Sequence, residues 1–216
     1  MNLNMQPEQN IIHCYDSTAT QYADKFFHEL KSKHMDRVLL QAFANENRGK
    51  GKMIDLGCGP GQTTVFLSSC GVTDIVGVDI SPIMVRRARA LSPQLEFETG
   101  NMLQFSYPDG MFGSAVAFYA IVHFDEAQLS IALSEIKRVL KSKGQFLFSF
   151  HVGTEMIHHD TFLDQPVNID FYFWDTNKVI EMAKEAGFTL IDVVERRPYA
   201  DVEYPSLRAY VWLEKP

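Results

Sequence analysis

The strongest constraint on folding is the stretch Met53 to Thr64, which reads Met-Ile-Asp-Leu-Gly-Cys-Gly-Pro-Gly-Gln-Thr-Thr. Met53 to Leu56 is a short apolar run with Asp55 as its single charge, the pattern of a buried strand. Gly57, Gly59 and Gly61 follow, free to take backbone angles closed to other residues and leaving room for a ligand against the main chain. Thr63 or Thr64 is placed to cap the next helix. Strand, glycine turn and helix in that order aim unpaired N–H groups and a helix N-terminus at one point. The expected ligand carries a carboxylate, a phosphate or a polar sugar.

The rest of the chain alternates helix and strand around this stretch. Ile11 to about Asn47 has Tyr15, Tyr22, Phe26, Leu30, Val38, Leu39 and Phe43 in helical spacing, with Asp16-Ser17-Thr18 expected to break it near the start. After a helix from Thr63 to Cys70 ended by Gly71, Asp74 to Ile80 reads as a second strand with Asp79 near its C-terminal end. Pro82 suits a helix start and leads a basic-surfaced helix to Leu91. A third strand, Leu95 to Glu98, precedes Gly100-Asn101-Met102. The unbroken apolar run Phe112 to Ala120 suits a central parallel strand covered on both faces. Asp125 can cap a helix to about Leu140, Lys141 to Gly144 turns the chain, and Gln145 to His151 forms the fifth strand.

From Val152 to Trp174 periodicity fades, and a long functional loop or lid is expected there. Asp175-Thr176 then starts a helix closed by Gly187, and Thr189 to Glu195 with Leu207 to Leu213 forms an antiparallel hairpin. The fold class is α/β, doubly wound, with a mostly parallel seven-stranded sheet and a C-terminal antiparallel hairpin. One domain spans 1–216: a helical cap over 1–48, a ligand-binding core over 49–152, a lid over 153–174, and a helix with the terminal hairpin over 175–216. Ligands in such sheets sit beyond the C-terminal strand ends, where Gly57 to Gly61, Asp79, Asn101, His123 and His151 converge.

Composition narrows the partner. A net charge of −7 with scattered Lys and Arg lacks a nucleic-acid footprint, so a small neutral or cationic molecule fits better. The three cysteines, Cys14, Cys58 and Cys70, are unpatterned, which fits a reduced cytoplasmic protein without a zinc site. Met1 to Asn10 is polar and lacks the apolar run of a signal peptide, and no segment reaches the roughly 20 apolar residues of a membrane span.

Asp79 lies about twenty residues beyond the glycines at a strand end, where a carboxylate accepts both hydroxyls of an adenosine ribose. A dinucleotide site prefers G-x-G-x-x-G, whereas here the order is G-x-G-x-G with Pro60 inside it. Through Ile54-Asp55-Leu56-Gly57-Cys58-Gly59-Pro60-Gly61, Val76-Gly77-Val78-Asp79-Ile80-Ser81 and Arg138-Val139-Leu140-Lys141-Ser142-Lys143-Gly144-Gln145, the chain resembles the class I S-adenosylmethionine-dependent methyltransferases from about Tyr15 to its end.

The resemblance implies S-adenosylmethionine as cofactor on a Rossmann-like fold. It implies that Gly57, Cys58, Gly59 and Gly61 hold the methionine end with Asp55 near the ammonium group, and that Asp79 takes the ribose hydroxyls. Ile80 then packs beside adenine, Asn101 and Met102 stand at the adenine amino group, and Phe118 approaches the sulfonium. The family commonly has an acid where Asn101 stands, and the Asn101 side-chain oxygen can still accept that bond. Tyr15 and Tyr22 either pack on a helix face or touch the ligand.

A sulfonium methyl is already electrophilic, so the chain's task is to align an acceptor and exclude water. His123 and His151 are the candidates for base or acceptor orienter, with ordinary packing as the alternative reading. His158, His159 and Asp160 lie on the expected lid, and Tyr172, Phe173 and Trp174 can wall an apolar pocket. The expected activity is methyl transfer to a small-molecule acceptor. The alternatives are a non-catalytic S-adenosylmethionine-binding module and, less favoured by the glycine spacing, a nicotinamide-dependent oxidoreductase.

Overall fold

A computed structural model describes residues 7–216, so the polar stretch before Pro7 lies outside the described residues. The chain opens with α1 (Pro7–Phe26), a 3₁₀ turn (Glu29–Lys31) and α2 (His34–Asn47). Then come β1 (Met53–Leu56), α3 (Gln62–Ser69), β2 (Ile75–Asp79), α4 (Pro82–Leu91), β3 (Glu96–Thr99) and β4 (Phe112–Phe118). After a second 3₁₀ turn (Ile121–His123) follow α5 (Glu126–Val139), β5 (Leu140–His151), β6 (Met156–Phe162), β7 (Gln165–Tyr172), α6 (Thr176–Glu185), β8 (Thr189–Arg196) and β9 (Arg208–Glu214).

Seven strands form one sheet in the order β3-β2-β1-β4-β5-β9-β8, as the doubly wound reading expects. β1 to β5 are parallel, while β9 inserts antiparallel between β5 and β8. The strand order reverses between β1 and β4, which is where such sheets open a ligand crevice. β1, β2 and most of β4 are buried along their length, the covering that their apolar runs require. Local signals start the helices. Ser81 caps α4 by accepting from Met84 N at 3.0 Å with Pro82 at N1, and Asp125 makes a reciprocal capping box with Gln128 at the start of α5.

Four expectations change. α1 runs unbroken through Asp16-Ser17-Thr18, because Thr18 Oγ1 turns back onto Cys14 O at 2.7 Å inside the helix and Asp16 is engaged elsewhere, accepting from Ser81 Oγ at 2.5 Å. Neither Thr63 nor Thr64 caps α3; the N-cap is Gly61, and Thr64 Oγ1 donates to Asp55 instead. The turn over 141–144 is absorbed into β5, which starts at Leu140 with Lys143 at φ 64° and a register shift against β4. The irregular lid over 153–174 is largely an antiparallel ribbon, β6 paired with β7. Its inner face presents Val167 and Ile169 to Cys14, with Ile11 and Tyr15 of α1 packed alongside. Helix and ribbon thus cover the C-terminal strand ends together.

Candidate functional site

The covered edge of the sheet encloses a cavity of about 650 Å³, within the roughly 300–1,000 Å³ of small-molecule sites. It runs from Asp79 at the end of β2, past Gly57 and Gly59 after β1, to Phe118 and Tyr119 after β4, then His151 on β5 and Arg208 on β9.

At the β2 end, Asp79 is buried with both oxygens held by main chain: Gly59 N donates to Oδ2 at 2.8 Å and Ser81 N to Oδ1 at 2.8 Å. Burial nevertheless pushes its carboxyl up to about 6. Each oxygen keeps a lone pair for a further donor. Ile80, Asn101 and Met102 line the same end, and Asn101 Oδ1 accepts from Leu103 N at 2.9 Å, which fixes the side chain in a turn.

The glycine turn shows why its residues are glycines. Gly57 has φ 66° and a Cβ there would stand 2.5 Å from Ala120 Cβ, while Gly61 has φ 93° and a Cβ would meet the Phe97 ring at 2.8 Å. Gln62 Oε1 lies beside this turn, lines the cavity and is buried without a donor. An acceptor in that position fits the ammonium group of an amino-acid ligand.

Three expected ligand residues, Asp55, Cys58 and Gly61, do not line the cavity. Asp55 Oδ2 accepts from Thr64 Oγ1 at 2.6 Å, and burial raises its carboxyl to about 7 with a smaller push from Asp79. Cys58 packs with Val85, Ala88 and Phe97, where burial drives its thiol well above the usual range.

Tyr15, Tyr22, Phe118, His123 and His151 all line the cavity. Tyr15 and Tyr22 meet edge to face at 5.8 Å. Tyr15 Oη lies 2.6 Å from His123 Nε2, and His123 Nδ1 lies 2.8 Å from the Asp170 carbonyl of β7. A carbonyl only accepts, so a hydrogen sits on Nδ1, and in the neutral ring Nε2 is then left to accept the tyrosine hydroxyl. Burial lowers the His123 pKa to about 4, which keeps the ring neutral at neutral pH. His151 Nδ1 pairs with Ser206 Oγ at 2.8 Å, and burial together with Arg208 and Lys33 lowers its pKa to about 4. Strand alternation separates the two adjacent ribbon histidines. His159 lines the cavity, and exposed His158 pairs with Asp170 at 2.7 Å.

Several lining residues were not singled out from sequence: Tyr119, Lys33, Asp36, Glu203 and Arg208. Tyr119 takes φ 56°, sparsely populated for a residue with a side chain, with its N–H bonded to Ser149 O at 3.1 Å. Among the described residues no group of three or more His, Cys, Asp or Glu is placed to hold a metal ion. No helix among them is long and apolar enough to cross a membrane.

Sheet order, switch-point cavity and a strand-end carboxylate tied to a glycine turn define a doubly wound protein built to hold a nucleoside ligand. Residues 53–144 match the family model of a methyltransferase domain. An uncharacterized methyltransferase of Synechocystis is 37% identical over 95 residues, covering 44% of this chain and 44% of that protein. A second, from Bacillus subtilis, is 31% identical over 128 residues, covering 57% of this chain and 48% of its own. A sterol 24-C-methyltransferase of Gibberella zeae is 28% identical over 153 residues, covering 65% and 40%. The chain spans less than half the length of these curated relatives. Among solved structures, magnesium protoporphyrin IX methyltransferase from Synechocystis with bound S-adenosylmethionine superposes with a TM-score of 0.75 at 15% identity, covering 100% of both chains, a likeness of fold. Over residues 53–144 the chain is thus similar to methyltransferase domains, and its fold is that of a methyltransferase structure with bound S-adenosylmethionine.

Proposed function

We propose that this chain transfers the methyl group of S-adenosylmethionine to a small-molecule acceptor by in-line displacement. The observation that supports it most is the continuity of the cavity, which joins the Asp79 and glycine-turn end to an aromatic chamber under α1 and the β6–β7 ribbon. Bound there, the cofactor supplies an electrophilic methyl. Asp79 accepts the ribose hydroxyls, Ile80, Asn101 and Met102 bracket the adenine, and Gly57, Gly59 and Gln62 take the methionine end. Asp55, Cys58 and Gly61 shape the turn. Phe118, Tyr15 and Tyr22 exclude water around the sulfonium, which strengthens electrostatics inside the chamber.

A base is needed only where the acceptor must lose a proton. His123 is a poor store for one at neutral pH, since its pKa is about 4 and its Nε2 is occupied by the Tyr15 hydroxyl. Its role is to orient Tyr15, whose oxygen keeps a lone pair facing the acceptor. His151 lines the acceptor side and stays neutral for the same reason of burial.

The small-molecule reading draws on the net charge of −7, on the enclosed cavity and on relatives named for sterol and magnesium protoporphyrin substrates. Three free cysteines, two of them buried, suit a reducing cytoplasm. Thermal-shift titrations with S-adenosylmethionine, S-adenosylhomocysteine and NAD test the cofactor, since a ligand that prefers the native state raises Tm. Transfer of labelled methyl to a small-molecule panel is the expected result. Labelling confined to basic polypeptides or nucleic acids overturns the acceptor class, and cofactor binding without transfer to any acceptor favours a non-catalytic module.

A further inference from the structure

The far lobe of the cavity holds a buried ionic network that cofactor binding at the glycine turn leaves unexplained. Three cations, Lys33, Arg196 and Arg208, face three carboxylates, Glu29, Asp36 and Glu203. Glu203 takes Arg196 Nη1 at 2.6 Å and Nη2 at 2.8 Å, and Tyr199 N at 2.9 Å. Lys33 Nζ lies 2.7 Å from Glu29 and 3.7 Å from Glu203. Asp36 Oδ1 accepts from Arg196 Nη2 at 2.7 Å and from Tyr210 Oη at 2.6 Å.

Two atoms are left over. Asp36 Oδ2 is buried with no donor, and Arg208 Nε is buried with no acceptor, standing 3.4 Å from Glu203 Oε1 without donating to it. Asp36 is 1% exposed and Arg208 2%, and both line the cavity. Glu29 at its near end accepts from Gln62 Nε2 at 3.4 Å, but Arg208 pairs with His151 and so lies two strands beyond β4 and three beyond β1. At about 4.8 Å per strand that is about 14 Å from the glycine turn.

Charge decides what fits. With the three ion pairs matched and His151 neutral, an ionic ligand of either sign would be desolvated without a compensating charge. Glu8, Lys25 and Asp201, the other charged side chains of the rim, are exposed and screened by solvent. The unmatched atoms ask for one donor and one acceptor, which a single neutral group carrying both can supply.

We propose that this lobe anchors the methyl acceptor by a carboxamide-type head, whose N–H is accepted by Asp36 Oδ2 and whose carbonyl is bonded by Arg208 Nε. The flat body of the acceptor then lies along Tyr119, His151, Phe173 and Tyr204, which already pack as neighbouring rings at 5.3–6.1 Å. The proposal rests on the methyltransferase reading, because it assigns the acceptor half of that cavity.

The test is calorimetric titration of benzamide, benzoate and benzylamine into the chain saturated with S-adenosylhomocysteine. Benzamide is expected to bind at least about tenfold tighter than either charged analogue. Asp36→Asn replaces the waiting acceptor and removes one negative charge, so it should weaken benzamide about tenfold and strengthen benzoate. If that variant fails to fold, N,N-dimethylbenzamide titrated into the wild type replaces it: lacking an N–H for Asp36 Oδ2, it should bind about tenfold more weakly than benzamide, and equal binding overturns the proposal. A wild-type preference for benzoate or benzylamine overturns the proposal, as does the absence of binding by all three, which would mean that water satisfies both atoms. An Asp36→Asn variant that loses S-adenosylhomocysteine as strongly as benzamide also overturns it, since the lobe would then be the cofactor's own. Failure of S-adenosylhomocysteine to bind the wild type, measured first, overturns the methyltransferase reading instead.

Discussion

Replacing His123 with glutamine removes a pH-dependent term in stability whose size follows from the burial of the ring. His123 is 8% exposed, and its pKa falls from 6.5 to about 4 on folding. The folded state therefore binds fewer protons than the unfolded state between those values. The neutral ring's contribution is fully present above pH 6.5 and is lost as pH falls through 4. At about 1.4 kcal/mol per pH unit the whole effect is on the order of 3 kcal/mol, of which about 2.5 kcal/mol is gone by pH 4.5. Glutamine has no such titration, though it can still donate to the Asp170 carbonyl and accept from Tyr15. Urea unfolding at pH 7.5 and 4.5 should show wild type losing about 2.5 kcal/mol more than His123→Gln over that interval. His151 titrates in the same direction, and the raised carboxyls of Asp55 and Asp79 in the opposite one, but all three are common to both proteins and cancel in the difference. Equal losses in the two proteins would refute the neutral, Nδ1-protonated assignment and return His123 to the list of candidate bases.

Gly61→Ala combines a left-handed backbone at φ 93° with a Cβ 2.8 Å from the buried Phe97 ring, whereas Gly59→Ala has φ 52° and meets nothing closer than 3.7 Å. Destabilisation of about 2–4 kcal/mol is expected for the first and about 1–2 kcal/mol for the second, measured by denaturant unfolding; equal costs would show that the Phe97 contact does not matter. Asp79→Asn should raise the Kd for S-adenosylhomocysteine about 10- to 100-fold through loss of charge-assisted bonds, and an unchanged Kd would remove Asp79 from the ribose site. Tyr15→Phe should lower kcat/KM about tenfold with an unaltered pH profile, as loss of one orienting hydrogen bond does. A loss of about 100-fold or more with a displaced acid limb would make the Tyr15–His123 pair a proton relay.

The alternating core was legible because parallel strands covered on both faces must be apolar along their length, and β1, β2 and β4 are. The β6–β7 ribbon was not. Its turn, Leu163-Asp164, takes φ 48° and 63° with no glycine, so the usual Asn-Gly signature of a two-residue hairpin is missing. β6 also carries His158, His159 and Asp160, which read as loop residues until the inward face of β7 gives them a partner strand. In α1, Asp16 reads as a breaker and is an acceptor for α4, a tertiary use that leaves no local trace. The glycine turn and Asp79 stood out by spacing, while the buried network did not: Asp36 and Tyr210 meet across 174 positions of sequence. A cluster assembled from that far apart has no period to detect.

The two ends of the cavity differ electrostatically in a way that bears on turnover. In the far lobe carboxylates and cations are matched, but Asp16, Asp55 and Asp79 around the glycine turn have no salt-bridge partner among the described residues. With Asp79 raised to about 6 and Asp55 to about 7, this end gains negative charge as pH rises through that range. Under the proposed methyl transfer, a sulfonium cation gains from it and the neutral thioether left behind does not, so the field that draws the cofactor in would favour release of the product. The ratio of Kd for S-adenosylhomocysteine to Kd for S-adenosylmethionine should therefore climb several-fold between pH 5.5 and 8, because both ligands share every other contact. Isothermal titration of the two ligands across that range measures it, with Asp55→Asn expected to flatten the upper half of the rise. A ratio that stays constant with pH would mean that the buried carboxylates do not feel the sulfur, and would leave them a purely structural part in holding the turn.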